Sequence, residues 1–379
     1  MEAFAVTNNG TENCCAAEIK ELLGADSETA NGIVLFNAAK YQDICRLAYA
    51  GQSIWRTGEL LGKFKFRENF FDSLAGHIAK SGIRDWIKPE TSFRAECIRR
   101  GNHDFSSVDV EKAAGEAALE SPGEKLKVDL KNPDVRLLIY ISGNECYFGI
   151  DFAGIDLSSR DYKIFAHRDS LNGTVAYAMV RLAGWDKKGG LLDPFCGGGT
   201  IPIEAAFYRT GVAINHFRKD KLAFARMELG FDQKKFFEEI DGKSKFPAKV
   251  NVFGSDALLA AVNASNKNAK IAGIHKGLVL NRIDIEWLDT KFKESSIDFI
   301  VTDLPEKTRM SNAKYLDKIY SEFWFQLDFV MKKDGAVVVV ACNTFDDMKK
   351  DAGKFKFVLD KQFDIWQGKE RLLVGRFVR

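Results

Sequence analysis

The chemically suggestive residues of this 379-residue chain gather in its back half. The segment Asp193-Pro194-Phe195-Cys196-Gly197-Gly198-Gly199-Thr200 follows an apolar run, Gly190-Leu191-Leu192, and precedes a helical pattern from Ile201 to Tyr208. In an open α/β sheet, a strand-to-helix turn of this kind is where ligands bind. Its glycines let the backbone turn tightly and approach a ligand closely. A glycine-rich turn alone fits a plain tight turn or a nicotinamide nucleotide as well. The acid at its head discriminates. A dinucleotide presents a pyrophosphate, which favours exposed N–H groups at a helix N-terminus, whereas S-adenosylmethionine presents an ammonium and a sulfonium, which favour carboxylates. The third glycine of G-x-G-x-x-G is also missing, since Pro202 stands two places after Thr200. The expected ligand is therefore S-adenosylmethionine, held by Asp193, Pro194, Gly197, Gly199 and Thr200.

Further acids stand where later strands should end. Asp256, in Gly254-Ser255-Asp256-Ala257, either accepts both ribose hydroxyls of an adenosine or caps the helix that follows. Asp284 either reads an adenine amine, with Ile285 packed on the ring, or is a solvated loop acid. The run Ile297 to Thr302 then delivers Asp303-Leu304-Pro305-Glu306. Methylating an exocyclic base amine requires its nitrogen to face the methyl donor in line. An Asp side chain and the following backbone carbonyl can take the two N–H bonds while proline stiffens the turn. An ordinary strand-end turn uses the same residue types.

These residues need a frame. After about Ser158, nearly continuous apolar runs (Gly190–Asp193, Val250–Gly254, Gly277–Leu280, Ile297–Thr302, Ala336–Ala341) alternate with helical stretches, the pattern of buried parallel strands in a doubly wound α/β domain. Runs at Gln362–Gln367 and Arg371–Val378 predict a closing hairpin on the sheet edge. Ahead of Ser158, short strand-like runs alternate with amphipathic helices, and three strands (Lys127–Leu130, Val135–Ile141, Cys146–Ile150) close that half as two small α+β units. Within it, Arg99, Arg100 and His103 flank Gly101, either as contacts to phosphates or a strand terminus or as a solvated face.

Composition bounds the rest. A hydrophobic content of 46% favours two or three domains, and a net charge of +2 confines any nucleic-acid surface to a local patch. There is no run of roughly 18 apolar residues and no basic segment ahead of an apolar one after Glu2, so a cytoplasmic protein without a membrane span is expected. Among the seven cysteines only Cys14-Cys15 are close and none form C-x-x-C, so neither a metal site nor a disulfide framework is indicated.

In motif order, over nearly its whole length, the chain resembles the THUMP-domain guanine-N2 methyltransferases of tRNA, in the branch acting on the sixth nucleotide, in the acceptor stem. The resemblance rests on Asp193 to Thr200 with Ile201-Pro202-Ile203-Glu204-Ala205-Ala206, on Gly254-Ser255-Asp256, on Asp303-Leu304-Pro305 with Arg309-Met310, and on a long insertion from Phe217 to Lys245. In front, Ser92 to Phe105, Val108 to Leu119, Lys127-Val128-Asp129-Leu130 and Asn132-Pro133-Asp134 resemble a THUMP domain. The resemblance implies an α/β fold: a Rossmann-like methyltransferase domain (158–379) preceded by α+β ferredoxin-like (1–62) and THUMP (63–157) domains. It implies that Arg94, Arg99, Arg100, His103 and Arg309 meet RNA, that Asn172 and Thr174 lie at the methionine end of the donor (Asn172 serving equally as a helix N-cap), and that a monomer grips the tRNA 3′ end. Ala257 joins the expected donor contacts beside Asp256. One departure stands out. Such families carry an aromatic residue and then glycine after the proline, where this chain has Glu306 and Lys307. A lost stacking ring removes roughly 1–3 kcal/mol per base. The alternatives are another tRNA or rRNA target, or an RNA-binding protein with weakened catalysis.

Overall fold

Runs rich in β-branched and aromatic residues pair into two sheets, one for each half of the chain. The computed structural model describes residues 1–379 except 89–90, 119–126, 166–170, 245–248, 307–312 and 342–344. Two units emerge that do not follow chain order. The first comprises Met1–Thr7, Cys15–Leu157 and Asn215–Glu239, the second Asn8–Cys14, Ser158–Ile214 and Ile240–Arg379.

The first unit is built on strands β1 (Glu2–Thr7), β2 (Ser27–Ala30), β3 (Ile33–Asn37), β4 (Ile54–Lys65), β5 (Ser92–Arg100), β6 (Lys127–Val128), β7 (Val135–Ser142) and β8 (Glu145–Asp151). They form one sheet in the order β2-β3-β1-β4-β8-β7-β5-β6. The boundary expected between residues 62 and 63 falls inside β4, which pairs with β1 on one side and β8 on the other. β4 carries glycines at positions 58 and 62. A Cβ on Gly58 would lie 1.8 Å from the Ile150 carbonyl oxygen, so the glycine serves close strand approach, not a turn. The expected insertion also behaves differently from its place in the chain. Asn215–Glu239 packs in this first unit, where Asn215 Nδ2 donates to the Ala48 carbonyl at 2.7 Å and Phe237 meets Tyr49 edge-on at 4.8 Å. The helix expected over Val108–Leu119 is Ser107–Ala117, and Leu119 lies outside the described residues.

The second unit contains β9 (Leu191–Asp193), β10 (Val252–Asp256), β11 (Leu278–Arg282), β12 (Ile297–Asp303), β13 (Met331–Val340), β14 (Val358–Gln367) and β15 (Glu370–Val378), ordered β11-β10-β9-β12-β13-β15-β14. The first five are parallel, and the expected hairpin adds β15 antiparallel to β13 with β14 at the edge. Both faces are covered. Val338 packs with Val175, Met179 and Phe207 from helices Gly173–Leu182 and Thr200–Thr210, whereas Val337 and Val339 pack with Tyr320, Trp324 and Met348 from helices Ala313–Val330 and Phe345–Lys354. That two-sided burial explains why β13 reads as an unbroken apolar run. Among the described residues no helix is long and apolar enough to cross a membrane.

Candidate active site

The strand order reverses direction between β9 and β12, and the crevice outside the carboxyl ends of such a pair is where open α/β sheets bind ligands. Three neighbouring strands end there in acids: Asp256 closes β10, Asp193 closes β9 and Asp303 closes β12. The glycine loop bends between the first two. Gly197 and Gly199 adopt φ of 49° and 83°, and Gly199 is the N-cap of helix Thr200–Thr210. The Gly197 amide donates to Asp256 Oδ2 at 3.1 Å, and the Cys196 amide to the Ser255 carbonyl at 2.9 Å, so loop and β10 are stitched together.

Asp193 is 1% exposed. Its Oδ1 accepts the Thr302 hydroxyl at 2.6 Å and the Phe195 amide at 3.1 Å. Burial pushes its carboxyl up to about 7, with the Thr302 hydrogen bond acting in the opposite direction and Asp256 adding repulsion. The residues described supply no cation to balance it, and this acidic set fits a positively charged ligand better than a pyrophosphate. Pro194 and Thr200 are buried at the loop's two ends, and Ala257 is half-buried beside Asp256. Asp256 is half-buried and also caps the next turn, accepting the Leu258 amide at 2.9 Å through Oδ1. Asp284 is exposed and caps Ile285–Thr290 by accepting the Glu286 amide, so it takes the capping role alongside any ligand contact. Ile285 is 3% exposed within the core cluster that holds Leu192 and Leu288.

Asn172 and Thr174 lie at the start of helix Gly173–Leu182. Asn172 occupies the N-cap of helix Gly173–Leu182 without a side-chain capping bond, its backbone amide donating to Gln367 Oε1 at 2.6 Å. Thr174 is buried, and its hydroxyl donates to Asn8 Oδ1 at 2.8 Å; Asn8 Nδ2 in turn donates to the Trp366 carbonyl. The hydroxyl of Thr174 is therefore engaged within the protein.

At the end of β12, Asp303, Pro305 and Glu306 are half-buried, and Leu304 is 2% exposed in the core. What Leu304 offers a substrate is thus its backbone carbonyl. The turn is held from below by Tyr320, whose hydroxyl donates to the Pro305 carbonyl at 2.5 Å. Lys307 and Arg309 lie outside the described residues. Three supports were not anticipated from sequence: Thr302, Tyr320 and Asn268. Asn268 is fully buried and clamps the glycine loop, its Nδ2 donating to the Gly198 carbonyl at 2.8 Å while its Oδ1 accepts the Phe165 amide at 3.0 Å. Its helix, Leu259–Ile271, holds three asparagines (Asn263, Asn266 and Asn268), an available signal because Asn is a poor helix former unless its amide is used, though one that does not single out Asn268.

In the first unit, Arg99 and Arg100 do not form one cluster. Successive strand residues face opposite ways, and Arg99 lies over Phe105 at 5.7 Å while Arg100 stacks on Trp55 at 4.7 Å. His103 stays with Arg99: it stacks on Phe105 at 5.1 Å and bonds the Gly143 carbonyl through Nε2 at 2.6 Å. Among the described residues, Arg99 Nε and His103 Nδ1 are buried without hydrogen-bond partners. Arg94 donates to the Leu130 carbonyl at 2.5 Å.

The parallel sheet that reverses between β9 and β12 defines a Rossmann-like α/β domain. More specifically, the chain belongs to the family described as RMKL-like, methyltransferase domain, which residues 160–364 match, and it carries a THUMP domain, matched by residues 70–151. It is 29% identical over 378 residues to the tRNA (guanine(6)-N2)-methyltransferase of Methanocaldococcus jannaschii, covering 97% of each chain. The protein of the same name from Archaeoglobus fulgidus is 30% identical over 361 residues, covering 92% of this chain and 86% of the relative. A ribosomal RNA large subunit methyltransferase K/L from Aliivibrio salmonicida is 25% identical over 375 residues, but the chain spans 52% of that longer protein. Among solved structures, SMU.472 in complex with SAH shares the fold, with a TM-score of 0.82 at 19% identity, covering 100% of this chain and 97% of the other.

Proposed function

We propose that this protein methylates the exocyclic N2 of a guanine in tRNA, at nucleotide 6 of the acceptor stem, using S-adenosylmethionine, as a cytoplasmic monomer whose THUMP region docks the tRNA 3′ end. The observation that carries the reading is the convergence of Asp256, Asp193 and Asp303 on adjacent strand ends at the point where the sheet reverses. The names of the two relatives matched over most of their length supply the target nucleotide.

When bound, the donor supplies an electrophilic methyl group on its sulfonium. Asp193 would pair with its ammonium, Asp256 accept from its ribose hydroxyls, and Asp284 accept from its adenine amine. Asp303 and the Leu304 carbonyl accept the two N–H bonds of the guanine amine and so fix the nitrogen for in-line attack. Pro305 limits the turn, and the Tyr320 hydroxyl on the Pro305 carbonyl keeps that carbonyl from competing for the amine. Glu306 follows directly, half-buried where a stacking ring stands in the family pattern. Arg99 and His103, gathered on the Phe105 ring, would be the residues of the front unit that meet a phosphate. The Asp303→Ala variant tests the assignment: methyl transfer to unmodified tRNA is abolished while SAH affinity stays within about twofold of wild type. Equal loss of both would remove Asp303 from its role at the acceptor amine.

A further inference from the structure

We infer that Thr302 is a positioning residue for the donor's amino-acid end: its hydroxyl fixes the Asp193 carboxylate and ties it to the strand that carries Asp303. The inference rests on the donor reading given above and adds a residue to it. The starting point is register. β9 and β12 lie side by side in parallel, with Phe299 opposite Leu191 and Ile300 opposite Leu192, so Thr302 stands one residue beyond the level of Asp193, where β9 ends and its carboxylate is within reach of the Thr302 hydroxyl. Thr302 is 0% exposed and Asp193 1%, so the 2.6 Å bond between them is shielded from water and from competing donors.

The bond has a consequence for which oxygen meets the ligand. Thr302 Oγ1 and the Phe195 amide both donate to Oδ1, and no described residue donates to Oδ2. One oxygen is consumed in fixing the carboxylate plane, and the other remains for a cation. A buried carboxylate without such a donor would turn about its last torsion, which is broad for Asp, and would take up a proton more readily. Burial already drives Asp193 upward, and the Thr302 hydroxyl opposes that drift by favouring the charged form. The neighbouring groups make this necessary, since Asp256 from β10 repels the charge and the Cys196 thiol of the loop, itself pushed up by burial, offers none in return. Because Asp303 is the next residue along β12, the same peptide unit also sets the distance between the group that holds the donor and the group that holds the acceptor amine.

Threonine is a favoured strand residue, and a merely structural role would leave ligand chemistry untouched. The test separates the two. Thr302→Val keeps shape and branching and removes the hydroxyl; Thr302→Ser restores it. Affinities for SAH and for 5′-methylthioadenosine, which lacks the amino-acid ammonium and carboxylate, are measured by calorimetry on the full chain. Thr302→Val should weaken SAH about tenfold, the scale of one hydrogen bond to a charged group. It should leave 5′-methylthioadenosine within about twofold, and Thr302→Ser should bring SAH back to within about threefold of wild type. Equal loss for both ligands, unchanged SAH affinity in Thr302→Val, or failure of Thr302→Ser to rescue would each overturn the role of Thr302. Wild-type protein that binds neither ligand would instead overturn the donor reading on which the inference stands.

Discussion

Replacing Gly199 with alanine puts two separable strains on the donor loop. Gly199 sits at φ 83°, and a Cβ there would lie 2.6 Å from Ser265 Cβ and 3.2 Å from Ser265 Cα. Holding a non-glycine residue in left-handed conformation costs about 1–3 kcal/mol. Forcing one extra carbon against a stiff helix neighbour costs about 1–3 kcal/mol more. The total, about 2–6 kcal/mol, corresponds to a fall in Tm of roughly 5–20 °C for a unit of this size. Gly211→Ala provides the control, because Gly211 has φ 68° with nothing within 4 Å of its Cβ position, so it carries the conformational strain alone. Adding Ser265→Gly relieves the Gly199→Ala clash but not its φ, and the double-mutant cycle should show about 1–3 kcal/mol of coupling. The assay is thermal unfolding of the four variants with and without SAH. Equal destabilisation by Gly199→Ala and Gly211→Ala, with no coupling to Ser265→Gly, would refute the claim that the loop is packed against the helix behind it.

Donor binding should depend on pH through Asp193, whose carboxyl is raised to about 7 from its ordinary value of 3.8. A carboxyl raised in the folded state holds its proton more tightly there, so its stabilising contribution is full below about 4 and is lost as pH rises through about 7. The ligand's ammonium needs the charged carboxylate, so SAH affinity should rise between pH 6 and pH 8 while apo stability from this group falls; calorimetry giving equal affinity at both would contradict the pairing. In the front unit, Arg99→Ala should weaken tRNA binding and reduce the slope of log K against log salt by about 0.7–0.9, the share of one phosphate contact. Arg100→Ala should change the slope less, because its guanidinium stacks on Trp55. Filter binding over a salt series checks both, and an unchanged slope in Arg99→Ala would remove it from the RNA surface.

The placement of Asp193 and Asp303 at strand ends was legible because the apolar runs before them mark those ends. In the sequence Arg99 and Arg100 read as residues of a glycine turn, whereas β5 runs on through Arg100, so its period of two sends them to opposite faces. Long-range partners left no such trace. Thr302 looks like any strand threonine, Tyr320 like any core aromatic, and their roles arise only from hydrogen bonds to Asp193 and Pro305. The strand β4 left no trace either, and the boundary expected after residue 62 falls within it. The exchange of Asn8–Cys14 and Asn215–Glu239 between the two units depends on packing that no local pattern encodes.

The most direct measurement is methyl transfer from labelled S-adenosylmethionine to unmodified tRNA, with nucleoside analysis and mapping of the product. The account predicts N2-methylguanosine at nucleotide 6 of the acceptor stem, formed despite Glu306. Label in another base or in ribosomal RNA, or tight binding of donor and tRNA with no transfer, would contradict it.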